Sequence, residues 1–136
     1  MARKGHSETF NNLLLEAIDE AFSSLGESVK KSLFAHLKGQ FNMKRSEIPS
    51  KIMQFSNALE QIFGIGAHHL ELLFMRNLHA ELQLACKWPT WCKWVIPEVT
   101  FQEYVELMRH KFEETNTEQL GIEVYVNAEE KNQQYV

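Results

Sequence analysis

The residues of this chain best suited to hold a metal, or to cycle between thiol and disulfide, are Cys86, Cys92, His79 and His110. Zinc is bound by thiolate sulfur and neutral imidazole nitrogen, and a structural site needs four such groups converging on the ion. The two cysteines are spaced C-x5-C, wider than the two to four residues usual in a zinc knuckle. Two thiols packed against neighbouring tryptophans is therefore the simpler reading, with metal ligation or a redox pair as the alternative. His68 and His79 return to nearly the same face of one helix, but eleven residues of rise separate them by ~16 Å, too far to share an ion. His68-His69 with Glu71 offers a pair and an acid, which reads first as polar surface at the start of a helix.

A second cluster starts directly after Cys86 and runs past Cys92. Lys87-Trp88-Pro89-Thr90-Trp91-Cys92-Lys93-Trp94 sets three Trp and two Lys within eight residues. Indole faces with interleaved lysines are the ingredients of a stacking platform for single-stranded nucleic acid or of a membrane-interface anchor. The same residues make a hydrophobic lid over helix ends, or a patch for a protein partner. Charge helps to choose. Residues 113–136 hold six Glu and one Lys, a net of −5, which leaves 13 basic and 12 acidic residues, +1, in residues 1–112. A nucleic-acid binder would show a basic excess on one face, so the lid and the protein patch rank above nucleic acid and membrane. The candidate partner-binding residues are Trp88, Trp91, Trp94, Lys87 and Lys93.

Catalytic constellations do not stand out. None of the six histidines has a Glu three residues before it, as a di-iron carboxylate bundle requires. HExxH, the phosphate-cradling Walker loop, GxSxG and GxGxxG do not occur. Gly64-Ile65-Gly66 is too short to cradle a phosphate and reads as a joint between two helices. No nucleophile and base can be paired by spacing, so no enzyme and no cofactor are expected.

The elements that must position these groups are helices. The central pair spans residues 49–63 and 66–82. Ile52, Phe55, Leu59, Ile62 and Phe63 recur at three and four residues, and Ala67, Leu70, Leu73, Phe74 and Leu78 make the second stripe. Pro49 suits a first helical turn, where its missing N–H has no partner to lose, and Gly64 suits the left-handed end. Before this hairpin, residues 8–24 carry the stripe Phe10, Leu13, Leu14, Ala17, Ile18, Ala21 and Phe22, and Gly26 stops them. Residues 27–40 carry Val29, Leu33, Phe34 and Leu37, with Phe41 just beyond. After the Trp loop, Thr100 and Glu103 form a T-x-x-E capping box that opens a last helix with Phe101, Tyr104, Val105, Met108 and Phe112.

The expected fold is all-α, a compact bundle of about five helices over residues 8–114. Residues 1–7 read as a flexible start, and residues 115–136 as an acidic polar tail with 122–126 as a short strand or a segment that orders on binding. At 136 residues, 44% hydrophobic and 24% charged, the chain can bury a single core without disulfides or metal. No apolar run reaches the ~18 residues of a membrane span. The basic start lacks the apolar core of a secretory signal, so a reducing cytoplasmic setting is expected.

Four segments together resemble a known family. They are LEAIDEAFSSLGESVKK from Leu15, FNMKRSEIPSKI from Phe41, ALEQIFGIGA from Ala58 and TFQEYV from Thr100. Over residues 10–112 the chain resembles the Nitrosopumilus output domain family, the fifth so named, of small archaeal proteins and C-terminal modules of signalling proteins. The resemblance implies an α-helical output or interaction module, often found alone, without catalytic residues to carry over. The Cys- and Trp-rich loop and the Glu-rich tail depart from its pattern. The expected function is a non-catalytic module that binds another protein in regulation or signalling, with homo-oligomer formation open and with no nucleic acid or membrane as partner. The alternative is a ligand or metal sensor using Cys86, Cys92, His79 and His110.

Overall fold

The computed structural model describes the backbone of residues 6–87 and 94–121, with side chains placed for residues 10–87 and 94–115. Within them are five α-helices: α1 (His6–Ser23), α2 (Glu27–Phe41), α3 (Ile52–Phe63), α4 (Gly66–Ala85) and α5 (Phe101–Gly121). A 3-10 helix, Arg45–Ser50, joins α2 to α3, and no strand occurs among the described residues. The fold is the expected all-α bundle.

Helix α1 packs most extensively on α4, and also on α2, on α5 and on the 3-10 helix. Its stripe explains that central place. Phe10, Leu14, Ala17, Ile18, Ala21 and Phe22 are buried as read, and Leu15 widens the face. Four phenylalanines from four helices meet in the middle of the core. Phe74 of α4 lies 5.6 Å from Phe22, 5.7 Å from Phe55 and 5.4 Å from Phe101, ring centre to ring centre. Tilted and edge-on contacts of this kind bring the positive ring edge to the negative face, adding to the ~1.5–3 kcal/mol that burial of such a side chain contributes.

The entry to the hairpin differs from the expectation. Pro49 does not open α3; it lies inside the 3-10 helix, and α3 begins at Ile52. A separate cap is the cause. The Lys44 N–H donates to Glu47 Oε1 at 2.9 Å, the Ser50 hydroxyl donates back to the Glu47 carbonyl at 2.9 Å, and Lys51 at φ −133° and ψ 45° interrupts the helical path. Ile48 and Pro49 are thereby buried, and Arg45 forks onto Asp19 of α1, its Nε 3.0 Å from Oδ1. The α3–α4 joint behaves as expected at Gly64, which takes φ 63°, a conformation that glycine adopts without strain. Gly66 is the first residue of α4, and Ile65 occupies the N-cap position.

Three helix ends also shift. α4 stays helical to Ala85, past the boundary expected at residue 82, and closes with the Cys86 N–H on the Leu82 carbonyl at 2.8 Å. α5 runs on to Gly121, past the boundary drawn at residue 114, and α1 is already helical at His6. The strand read at 122–126 and residues 1–5 lie outside the described residues. In the stripes, Val29 is exposed, Leu13, Phe34, Phe41, Ile62, Phe63 and Leu73 are half-buried, and Met75 fills a core position that the spacing did not single out.

Candidate functional site

The expected T-x-x-E box is present and sets where the Trp loop rejoins the bundle. The Thr100 N–H donates to Glu103 Oε1 at 3.0 Å, and the Glu103 N–H donates to Thr100 Oγ1 at 3.1 Å. On the other side, α4 ends at Cys86, and Lys87 follows with φ 54°, a left-handed backbone that turns the chain off the helix axis. The loop is thus held between two fixed helix ends.

Trp94 returns to the core. It is half-buried, packed edge-on against Tyr104 at 6.3 Å and against His79 at 5.7 Å, so it covers the space between α4 and α5. Tyr104 below it reaches the Met75 carbonyl with its hydroxyl at 3.4 Å. Of the candidate partner-binding residues, Trp94 therefore acts as lid, and Lys87 is exposed at the end of α4. Trp88, Trp91 and Lys93 lie outside the described residues.

Immediately after Trp94 the chain turns outward. Val95 is 76% exposed and Ile96 65%, Val99 is exposed as well, and Leu84 near the end of α4 is 82% exposed. Aliphatic residues scattered singly over a surface need no explanation, but here they flank one loop. The sequence did contain a signal: Val95-Ile96 between a tryptophan and Pro97 belongs to no helical stripe.

The residues of the metal alternative have distinct surroundings. Cys86 is buried as a free thiol, and burial pushes its pKa up, away from the thiolate that binds metal or attacks disulfides. The pKa of His79 is lowered, first by burial and then by the charge of Lys111, and its ring packs edge-on against Trp94. His110 is exposed on α5 with Nδ1 3.5 Å from Glu114. Cys92 lies outside the described residues. Among the described residues, no group of three or more His, Cys, Asp or Glu is arranged to hold a metal ion. His68 and His69 are exposed, while Glu71, read with them as polar surface, turns inward to accept a hydrogen bond from Ser56 of α3.

The chain matches no protein-family model, no curated protein and no solved structure. Among the described residues, no helix is long and apolar enough to cross a membrane.

Proposed function

We propose that this chain is a non-catalytic helical interaction module that docks another protein on the loop between α4 and α5 and works in the cytoplasm as an output part in signalling. The observation that carries the reading is the exposure of Val95 and Ile96 directly beside a core-seated tryptophan, with Leu84 at the neighbouring helix end. Trp94 anchors one side of the loop and fixes the direction in which the aliphatic pair projects. Burial of an exposed aliphatic pair beside an anchored aromatic is the kind of contact that dominates small protein interfaces. The near-neutral charge of residues 1–112 agrees with a protein partner better than with nucleic acid.

The test pairs capture with a patch variant. Tagged protein is compared with the Val95→Asp, Ile96→Asp variant in capture from native extract, alongside titration with a single-stranded oligonucleotide. A protein retained by the parent and lost by the variant, at equal melting temperature, supports the reading. Salt-sensitive oligonucleotide binding that the variant retains would replace it with a nucleic-acid function.

A further inference from the structure

A cleft elsewhere on the molecule brings two carboxylates together beside an apolar rim. It lies where α3, the α3–α4 joint and the start of α5 meet, and encloses about 350 Å³. Ser56, Glu60, Glu71 and Gln102 belong to its polar lining, together with Asn57, Thr100 and the imidazole of His68, and Met53 and Ile65 form its apolar rim. The rim side chains are strongly exposed, Ile65 at 92%.

Glu71 is the unusual member. Its carboxylate is half-buried and accepts a hydrogen bond from the Ser56 hydroxyl. Burial pushes its pKa up; the Ser56 hydrogen bond and His68 in its charged form work the other way, and the charge of Glu60 adds to the rise. Among the described residues, no Lys or Arg pairs with Glu71 or with Glu60. A carboxylate taken partly out of water without a cation is a net cost to folding, and a bound cation would relieve it. A metal ion is not the fitting occupant, since no three ligating groups converge here. The hydroxyl, the amide of Gln102 and the methylene-rich rim fit instead an organic cation with a short aliphatic stem.

We propose that this cleft binds an alkylammonium group, with Glu71 as its counter-ion, Glu60 reinforcing the charge, and Met53 and Ile65 covering the stem. The group belongs either to a free small amine or to a lysine side chain of a protein, and the inference does not depend on the loop surface described above. The test is a two-dimensional amide NMR titration with 1,4-diaminobutane, with Nα-acetyl-lysine amide, and with uncharged 1,4-butanediol, all at matched ionic strength. Saturating shifts confined to the joint after Gly64, the first turns of α4 and the start of α5 are expected at about 10 mM or below. Glu71→Gln should weaken binding about tenfold. Glu60→Gln changes an exposed residue, leaves the fold untouched, and should weaken binding by less. A response to the diamine alone identifies a small-molecule site, and an equal response to the lysine derivative identifies a side-chain pocket. Shifts that do not saturate, shifts spread over surface carboxylates, equal binding of the diol, or affinity unchanged in both variants would overturn the proposal.

Discussion

Arg109 of α5 donates from Nη1 to Oδ1 of Asn11 on α1 at 2.8 Å, linking residues 98 positions apart in the chain. The same guanidinium lies over the Phe10 ring, 4.7 Å from its centre, and reaches the Pro49 carbonyl at 3.4 Å. One half-buried side chain thus ties α5 to α1 and to the 3-10 helix. Arg109→Ala should lower stability by about 1–3 kcal/mol, because it removes a charge-assisted hydrogen bond and a cation–π contact and leaves Asn11 without its donor. Arg109→Lys, which lacks the planar fork, should recover only part of this. Urea midpoints of the two variants measure the difference.

The core makes graded demands. Phe74→Ala should cost about 3–5 kcal/mol and Leu59→Ala about 2–5 kcal/mol, since both side chains are fully buried. Leu73, facing its partner helix by spacing alone, is half-buried and should cost clearly less than Leu59. Equal urea midpoints for Leu59→Ala and Leu73→Ala would contradict the packing described.

Glu81 of α4 faces Glu16 of α1, and its carboxyl is pushed up to about 7, first by burial, then by a hydrogen bond with Glu16 and the charges of Glu16 and Glu20. A folded-state pKa above the unfolded value means that folding takes up a proton. The stabilising contribution is complete below the ordinary Glu range and is lost as pH rises through about 7. Glu81→Gln should therefore raise stability at about pH 8 by roughly 1 kcal/mol, a value discounted for the solvent-facing side of the group, and flatten the profile between about pH 5 and pH 8. Thermal melts across that range would show it. A variant with the parent's slope would remove Glu81 as the cause.

Local devices were legible in the sequence and long-range ones were not. The Thr100–Glu103 box and the left-handed Gly64 depend on residues a few positions apart, so their chemistry can be read from spacing. Pro49 was placed one element late because its fixed φ suits a 3-10 helix as well as the first α-turn, and the deciding bonds come from Glu47 and Ser50. Periodicity locates the face of α4 but not its width: Met75 is buried off the expected stripe, and Leu73, on it, is half-buried. The Ser56–Glu71 contact joins two helices across the hairpin, and no rule of spacing gives that register. Trp94 is half-buried against the core, whereas its neighbours Val95 and Ile96 are left in solvent. Which of three adjacent apolar residues turns inward is decided by Tyr104 and His79, both distant in sequence.

The cap on α5 also bears on the loop. Thr100→Ala removes the acceptor for the Glu103 N–H and should cost about 1 kcal/mol while leaving the rest of the bundle intact. If the cap holds the loop in its binding geometry, this variant should also weaken partner capture, although Thr100 itself is spent on the cap. Full capture by a measurably destabilised Thr100→Ala would show that the loop geometry does not depend on it.

The most direct measurement for the interaction reading is quantitative capture from native extract by the parent and by Val95→Asp, Ile96→Asp, with melting temperatures determined on the same preparations. Both side chains are exposed, so the double variant should fold with stability within ~0.5 kcal/mol of the parent. The account predicts a protein bound at near-stoichiometric level by the parent and reduced at least about tenfold by the variant, as loss of a central apolar anchor should produce. Equal capture by a variant of unchanged stability would contradict it.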